Sequence, residues 1–404
     1  MKILYVTTAW TGLNDVLFNG VEEPRGMPAF IKPLKRLIER GHEVKFLLIH
    51  NFEKLPEYKI NVNWLRKEQI IGDIRWELSL IKKPISAIKL YAMTFKLLKE
   101  NKYDFVYAHG ESAEPSRIAA KKLNIPFGHR LYGTFLYDYI CKNGKFKASI
   151  IHYLEYKVFS SKKDFLLITN DGSNGDKAFS LINKNKEPSK FYFLYNGIDH
   201  SEEVSENILK ERFLSLGATP FLFYVARIDK WKRQEDAIMI LNLINKRGYN
   251  LKLYLAGQII NKDYYEELKK LIQKLGLEDN VIYMGVINRE QINMMCKLAI
   301  CSFSLYDMCN LGNVFHEMLS SGAVIMSKND GSLDNFINHK ENGFLLDNIE
   351  EAPDYLEQLI RDKDYERSIR ENAIKVSRNK MLSWNERVDK EIEIIEGYAK
   401  CKRW

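Results

Sequence analysis

Two cationic side chains, Arg227 and Lys232, follow the apolar run FLFYVA, which has the pattern of a buried strand. A guanidinium can bind a phosphate through two parallel hydrogen bonds, and a nearby ammonium neutralises charge that remains. If a turn between strand and helix brings the two together, phosphate or diphosphate is the ligand that they fit. A solvated basic turn has the same spacing, so the pair alone leaves both interpretations open.

A second candidate site lies in the stretch SLYDMCNLGNVFHEMLSSGAVIMS, residues 304–327. Gly312 precedes an apolar helix, and the backbone N–H groups at the start of a helix attract an anion. Glu317 lies inside that helix, where its carboxylate can accept two hydroxyl groups such as those of a ribose. A glutamate on a helix surface is the plainer interpretation of the same residue.

In the first half of the chain, polar side chains also lie at the ends of predicted strands. His109 ends FVYAH and is followed by Glu111, while His129, Tyr132 and Gly133 lie in FGHRLYG. These residues are candidates for contact with an acceptor, and His109 is a candidate for catalysis. Each isolated residue is equally compatible with a structural role.

No metal site is predicted. Asp362 and Asp364 form an Asp-x-Asp pair of the kind that can hold a divalent cation on a diphosphate. They lie beyond the predicted helix 350–361 and far from any strand end, which indicates a solvated charge cluster. No cluster of His and Cys residues offers an alternative.

Short strand patterns alternate with helical patterns such as 29–40, 233–247, 263–275 and 350–361, which predicts βαβ units and parallel sheets. The strand patterns are KILYVTT, EVKFLLI, FVYAH, FGHRLYG, FLLIT and FYFLYN, then FLFYVA, KLYLAG, VIYMG, AICSFS, AVIM and GFLL. A chain of 404 residues favours two domains, and the junction is predicted just after YNGID. Ligands of open α/β sheets bind at the carboxyl ends of strands, so a cleft between the domains is expected to hold the site.

Composition limits the class of protein. Hydrophobic residues make up 46% and charged residues 28%, and the apolar runs are too short to span a bilayer. The opening MKILYVTT has a strand pattern, so no signal peptide is expected, and five cysteines without a CxxC pair favour a reducing cytoplasm. The net charge of +8 permits an anionic partner, such as a lipid surface or a phosphorylated substrate, but no nucleic-acid-binding signature is present.

Several motifs together resemble those of the retaining, GT-B-fold glycosyltransferases of family 4, the glycosyl transferases group 1. In chain order they are KILYVTT, RGMPAF, RGHEV, NGID, ARIDKWKR, LAGQ, NVIYMG and HEMLSSGAVIMS, and they cover nearly the full length. The resemblance implies two doubly wound Rossmann-like domains that face each other across a cleft. Residues 1–198 would bind the acceptor and residues 199–383 the nucleotide sugar, with a C-terminal helix, about 384–404, able to pack back on the first domain.

The resemblance also implies roles for individual residues. Arg227 and Lys232 stand on the donor-diphosphate positions, and Glu317 stands on the acid that usually binds ribose. Cys309 replaces the family's other acid, which normally helps to hold the donor sugar, and Tyr132 replaces a histidine. The remaining donor-binding positions are Gly26, Asn196, Asp307, Asn310, Leu311, Gly312, Asn313 and Val314, and Arg25 beside Gly26 replaces a loop glycine.

The implied reaction moves a sugar from a UDP- or GDP-sugar to a glycan, lipid-linked or other hydroxyl acceptor. A hexosyl- or N-acetylhexosaminyltransferase is expected, retaining and independent of metal, with Arg227, Lys232 and the Gly312 loop stabilising the departing diphosphate. No cofactor is expected. A GT-B sugar-nucleotide epimerase or hydrolase, or an inactive homologue that binds nucleotide sugar, is the alternative, and Cys309 keeps the inactive homologue open.

Residues 81–102 have the pattern of a basic amphipathic helix. Ile88, Tyr91, Ala92, Phe95 and Leu98 share one predicted face, flanked by Lys82, Lys89, Lys96 and Lys99. Such a helix can lie on an anionic membrane, which would locate the chain at the inner face of the cell membrane. A helix that covers its own sheet, with its lysines in water, is the alternative.

Overall fold

The computed structural model of the chain describes residues 1–24, 26–77, 83–184, 186–199, 208, 211, 215 and 219–401. The chain divides into two compact units, Met1–Gly197 together with Trp384–Trp404, and Ile198–Ser383. This division lies one residue from the predicted boundary after residue 198. Arg25, Lys82 and residues 200–207, which follow the predicted junction at YNGID, lie outside the described residues.

The first unit contains a seven-stranded parallel sheet in the order β3-β2-β1-β4-β5-β6-β7. Its strands are β1 Lys2–Thr8, β2 Glu43–His50, β3 Ile70–Arg75, β4 Phe105–His109, β5 Phe127–Leu131, β6 Phe165–Thr169 and β7 Lys190–Leu194. Strands β4, β5 and β6 are buried along their whole length, as expected where helices cover both faces of a sheet. The strand order reverses between β1 and β4, which makes their carboxyl ends the topological switch point of this unit.

The second unit contains a six-stranded parallel sheet in the order β10-β9-β8-β11-β12-β13. Its strands are β8 Phe221–Val225, β9 Lys252–Ala256, β10 Val281–Tyr283, β11 Cys301–Ser304, β12 Ile325–Lys328 and β13 Phe344–Leu346. Here the order reverses between β8 and β11, which pair in parallel. The switch point of this sheet therefore lies where the chain leaves these two strands.

Helices connect the strands of both sheets. The described α-helices, numbered along the chain, are α1 Thr11–Phe18, α2 Pro28–Glu39, α3 Lys83–Glu100, α4 Pro115–Lys122, α5 Leu136–Asn143, α6 Lys145–Ile151, α7 Tyr153–Ser160, α8 Gly175–Asn183, α9 Gln234–Lys246, α10 Lys262–Leu275, α11 Arg289–Leu298, α12 Asn313–Ser320, α13 Ala352–Arg361, α14 Lys363–Lys380 and α15 Trp384–Cys401. Among the described residues, no helix is long and apolar enough to cross a bilayer.

The last helix, α15, belongs to the first unit. Its residues Val388 and Ile392 join the core that includes β1 and α2. Its buried Glu391 accepts a hydrogen bond of 2.7 Å from the Tyr107 hydroxyl, and one carboxylate oxygen lies 3.6 Å from Nε of the buried Arg130. Because removing one partner would leave a buried charge uncompensated, this network holds α15 on the sheet.

The predicted amphipathic helix 81–102 corresponds to α3, which packs on the sheet of the first unit. Ser86, Leu90, Thr94 and Leu98 are buried against the unit, whereas the side chain of Ile88 is 67% exposed. Of the face predicted to be apolar, Leu98 is thus buried and Ile88 exposed, and the contact of this helix with a membrane stays a prediction.

Candidate active site

Two chain segments meet at the switch point of the second unit. After β8 the chain passes through Arg227 and a short 3-10 helix, Lys230–Lys232, before α9 begins. After β11 it passes through Tyr306, whose ring packs against Trp231 at 5.9 Å between centroids. The Asp307 N–H donates to the Trp231 carbonyl at 3.0 Å, which ties the two loops together.

Lys232 is held in an environment that disfavours its charge. Its side chain is buried, and Nζ lies 3.7 Å from the centroid of the Trp231 ring and 3.3 Å from that of Tyr306. Burial, followed by the neighbouring charge of Arg227, lowers the pKa of the Lys232 ammonium to about 7. Within the described chain, no carboxylate forms an ion pair with Nζ, so aromatic rings hold this cation in place.

Arg227 supplies the second cation of the site. Its side chain is exposed, and its carbonyl accepts a hydrogen bond of 2.9 Å from Gln234 Nε2, which fixes the turn. Its charge lowers the pKa of Lys232, so the two cations lie close enough to repel each other. A bound anion between Arg227 and Lys232 would relieve that repulsion.

The loop from Tyr306 to Gly312 is held by a buried asparagine. Oδ1 of Asn310 accepts hydrogen bonds of 3.0 Å from the Ser304 hydroxyl and from the Tyr306 N–H. Its Nδ2 donates to the Tyr306 carbonyl at 3.0 Å and to Asp330 Oδ2 at 2.8 Å. Both donor hydrogens and both acceptor positions are thus occupied inside the unit. Asn310 therefore positions the loop, and its predicted contact with the donor stays a prediction.

Leu311 and Gly312 lead from this loop into α12. Leu311 is 2% exposed, so its side chain belongs to the core and only its backbone remains for a ligand. At Gly312, the nearest heavy atom to an added Cβ would be the Cys309 carbonyl oxygen at 4.0 Å, which leaves open space before the helix. Asn313 and Val314 form the first turn of α12, where N–H groups attract an anion.

Cys309 adopts a left-handed backbone conformation with φ of 59° and is half-buried. Its side chain lies close enough to Lys232 to oppose, as a minor influence, the lowering of the lysine pKa. Cys309, where the family that the chain resembles has an acid, therefore lies next to the buried ammonium of Lys232.

Glu317, in α12, has a partner that the sequence did not indicate. Its Oε1 lies 3.7 Å from Nε of Arg289, the first residue of α11, and its side chain is 25% exposed. Arg289 also donates to a carboxylate oxygen of Asp199 at 2.5 Å and to the Asp199 carbonyl at 2.7 Å. Burial raises the pKa of Glu317, an effect that Arg289 opposes. A capping box between Asn288 and Gln291 begins α11 and positions this arginine.

Asp307 follows β11 and is paired with two cations. Its Oδ1 lies 3.1 Å from Lys328 Nζ and 3.9 Å from Arg233 Nε, while the side chain remains 42% exposed. Arg233 is itself bound to Asp236 at the start of α9. Asp307 is thus fixed beside the switch point and retains an exposed carboxylate.

In the first unit, His109 and Tyr132 are brought together at the switch point. The His109 Nδ1 lies 2.8 Å from the Tyr132 hydroxyl, and its ring stacks on Tyr5 with 4.7 Å between centroids. Burial lowers the pKa of His109 well below its usual value, so the imidazole is neutral. Its Nε2 is buried and has no hydrogen-bond partner within the described chain. The exposed Glu111 begins the turn that follows β4.

His129 does not reach a surface. It is fully buried, with Nε2 2.9 Å from the Gly110 carbonyl and Nδ1 3.3 Å from Glu114 Oε2. Nε2 is thus used inside the unit, Nδ1 lies within ion-pair distance of the buried Glu114, and burial lowers the pKa of the imidazole. The side chain of His129 lies in the helix-covered interior, and its contact with an acceptor stays a prediction.

The other predicted residues of the first unit are two glycines and Asn196. A Cβ at Gly133 would lie 2.3 Å from Asp171 Oδ2, so this glycine permits close packing. Gly26 has φ of 79° with open space around it, directly before α2. Asn196 is buried near the end of the first unit.

The Asp-x-Asp pair has a structural role. Asp362 caps α14 by accepting a hydrogen bond of 2.9 Å from the Tyr365 N–H, and Asp364 lies 3.4 Å from Arg367. Over the described ranges, no group of three or more His, Cys, Asp or Glu side chains could hold a metal ion.

Comparison with known proteins gives a family match and several similar chains. The family described as "Glycosyl transferases group 1" matches residues 206–376, which is less than half of the chain. UDP-Gal:alpha-D-GlcNAc-diphosphoundecaprenol alpha-1,3-galactosyltransferase from Escherichia coli is 27% identical over 199 residues, which cover 45% of this chain and 49% of that protein. The match thus spans about half the length of this relative.

Two further proteins match over most of the chain. Alpha-monoglucosyldiacylglycerol synthase from Streptococcus pneumoniae is 22% identical over 84% of this chain and 79% of its own. Anabaena HepE, crystallised in complex with UDP-glucose, superposes with a TM-score of 0.67 at 17% identity, covering 98% of this chain and 100% of that one. The two doubly wound sheets and these similarities confirm the GT-B fold. They also confirm the resemblance to the group 1 glycosyltransferases.

Proposed function

We propose that this chain is a glycosyltransferase that takes a sugar from a nucleoside-diphosphate sugar bound in its second unit. The observation that carries the proposal is the placement of Arg227 and the buried Lys232 at the switch point. There Lys232 lacks a carboxylate partner among the described residues. The first turn of α12 follows directly on the loop that leaves β11. A diphosphate supplies the negative charge that these groups lack.

Glu317 is the proposed ribose ligand. Its carboxylate is partly exposed in α12 and is oriented by Arg289, which is in turn anchored to Asp199. A carboxylate held in this way can accept hydrogen bonds from the two ribose hydroxyls. UDP-glucose in Anabaena HepE and the UDP-galactose named for the Escherichia coli relative favour a UDP-hexose or UDP-N-acetylhexosamine as donor.

A lipid-linked acceptor is the favoured acceptor class. The names of two relatives include a polyprenyl diphosphate-linked sugar and a diacylglycerol-linked sugar. In the first unit, the neutral His109 has an unpaired Nε2, and its other nitrogen is fixed by Tyr132. A neutral imidazole with one free nitrogen can orient an acceptor hydroxyl or accept its proton. Cytoplasmic action at a membrane face is part of the same proposal.

In the proposed mechanism, the bond between the sugar and the diphosphate breaks as the acceptor oxygen attacks. Arg227, Lys232 and the N–H groups of α12 stabilise the charge that develops on the leaving diphosphate. Placed as they are, these groups can supply the electrostatic stabilisation without a metal ion, and retention of configuration would follow from attack on the face that the diphosphate leaves.

The test is a panel of UDP- and GDP-sugars, with thermal unfolding and product analysis measured on the same protein. A stabilising UDP-sugar whose sugar is transferred to a lipid-linked or glycan acceptor supports the proposal. Donor conversion without any acceptor would favour an epimerase or hydrolase. Binding without turnover would favour an inactive homologue, for which the replacement of an acid by Cys309 is the structural reason. Arg227→Ala serves as the matched control for donor binding.

A further inference from the structure

Strand β7 leaves one side of its backbone open. It ends the order of the seven-stranded sheet and, over the described residues, pairs with β6 alone. The N–H of Lys190 donates to the Asp164 carbonyl at 3.3 Å, so this residue faces β6. Backbone groups alternate in direction along a strand, which turns those of Phe191 and Phe193 to the open side. Two N–H donors and two carbonyl acceptors are therefore available there for another strand.

The opposite edge of the same sheet is protected against such pairing. Strand β3 exposes the charged residues Asp73 and Arg75. Its register with β2 shifts between Phe46 and Leu47. Charges and irregular pairing are common means by which an edge strand avoids another chain. Strand β7, with the sequence KFYFL, pairs with β6 without a register shift and carries one charge, at its first residue. The edge at β7 is thus the one suited to a further strand.

An apolar groove of about 660 Å³ lies beside this open edge, between β7 and α15. Tyr192 and Leu194 line it from the strand, and the helix contributes Ile394, Gly397 and Tyr398. A Cβ at Gly397 would meet no heavy atom within 4 Å, so the helix leaves room for a neighbouring side chain. The groove and the open edge therefore form one surface of the first unit.

Two charged side chains border the same groove. Lys390 and Glu393 line it from α15, and both are exposed. Neither forms an ion pair within the part of the chain that the structure describes. They lie on one face of the helix at positions i and i+3. A two-fold axis that passes between them would bring each lysine next to the glutamate of a second copy. The charge on this surface is thus complementary to itself.

We infer that the edge of β7 and the groove beside it form an interface with a second copy of this chain, related by a two-fold axis near Tyr192. The two β7 strands would run antiparallel, with Phe191 of one copy exchanging two hydrogen bonds with Phe193 of the other. Pairing would end at Tyr195, because its carbonyl already accepts a hydrogen bond of 2.9 Å from Arg387 Nε. An unrelated strand would find the same backbone groups, but the complementary charges favour a second copy.

Sedimentation velocity of the full chain tests this interface through an exchange of charges. We expect a dimer at micromolar concentrations. Lys390→Glu and Glu393→Lys should each weaken dimerisation by about tenfold or more, because like charges then meet across the axis. An equimolar mixture of these two variants should dimerise again, since acidic and basic side chains face each other in the mixed dimer. Lys89→Glu, which reverses an exposed charge of α3, is the matched control and should dimerise like the unchanged chain.

Cross-linking with oxidised glutathione tests the register of the two strands. In the inferred register, position 192 faces itself in a pair without hydrogen bonds, where Cα atoms lie about 4.5 Å apart. A disulfide spans such a distance. Tyr192→Cys should therefore form a covalent dimer bridged at position 192, whereas Leu194→Cys, which faces Lys190, should not. Peptide mapping distinguishes this bond from any bond between the native cysteines.

Thermal unfolding of every variant should match that of the unchanged chain. A monomer at all concentrations, a dimer that neither single charge variant weakens, or a mixture that stays monomeric would overturn the inference. Cross-linking through Leu194→Cys but not through Tyr192→Cys would refute the two-fold register. The interface does not rest on the proposed transferase activity, because it lies outside the donor and acceptor residues. Donor binding measured on the same samples reports separately on that activity.

Discussion

Donor affinity should fall as the pH rises through neutrality, because Lys232 must carry its charge to hold a diphosphate. Burial and the charge of Arg227 lower the pKa of the free ammonium to about 7. A bound diphosphate favours the charged form, so the complex keeps the proton to a higher pH than the free protein does. The affinity for the donor is therefore highest below about pH 7 and falls progressively above that value.

The size of the effect follows from the same pKa. A group that titrates at about 7 in the free protein and well above that in the complex gives a loss of about tenfold in affinity between about pH 6 and pH 8. The assay is calorimetric titration with a UDP-sugar, whose diphosphate is esterified at both ends and does not titrate in this range. Repeating it in buffers of different ionisation enthalpy should reveal uptake of roughly one proton per donor at pH 8.

Two matched variants test the assignment to one lysine. Lys232→Met should weaken binding by about tenfold or more at pH 6 and should abolish the pH dependence, because one charge-assisted contact is lost. Lys230→Met removes a neighbouring lysine whose side chain is 70% exposed and lies 4.0 Å from Glu267, and it should change neither property. A flat pH profile for the unchanged protein, or equal losses in both variants, would refute the reasoning.

Three further outcomes are expected. Glu317→Gln should weaken binding of UDP and of a UDP-sugar by similar factors in calorimetry, whereas a loss confined to the UDP-sugar would move Glu317 to the sugar subsite. Cys309→Ser should retain most donor binding, while Cys309→Glu should raise the pKa of Lys232 and flatten the pH profile of affinity; loss of binding in the serine variant would make the thiol a functional group. Asn310→Ala should lower the free energy of unfolding by about 2–4 kcal/mol in urea titrations, because it leaves Asp330 and three further polar groups without their partner; unchanged stability would contradict its role in the loop.

Much of the fold was predictable because parallel sheets buried on both faces give continuous apolar runs. The predicted helices 29–40 and 233–247 match α2 and α9 within one residue at each end. Strand β3, Ile70–Arg75, was missed because it lies at the edge of its sheet, buries only one residue, and contains Gly72 and Asp73.

Sequence position predicts where some residues of the donor site lie and gives no signal for others. Arg227, Lys232 and Gly312 lie at one switch point because the carboxyl ends of neighbouring parallel strands must meet there. Arg289 carries no local signal, since its partner Asp199 is 90 residues away in sequence.

Side chains whose bonding capacity is used internally could not be recognised from residue type. Asn310 and His129 both lie near the carboxyl ends of strands, as ligand-binding residues do. The partners that occupy them, Asp330 for one and Glu114 for the other, become neighbours only in the folded units. Position along a strand predicts the edge of the sheet that a residue reaches, but it does not predict which hydrogen-bonding atoms remain available.

The central claim is that Arg227 and Lys232, in place of a metal ion, hold the diphosphate of a nucleotide sugar. The most direct measurement is calorimetric titration of a UDP-sugar into the unchanged protein and into Arg227→Ala, each with Mg²⁺ and with EDTA. Binding by the unchanged protein should be the same in both conditions, and Arg227→Ala should bind about tenfold more weakly or worse in each. Binding that disappears in EDTA, while Arg227→Ala binds like the unchanged protein, would contradict the account.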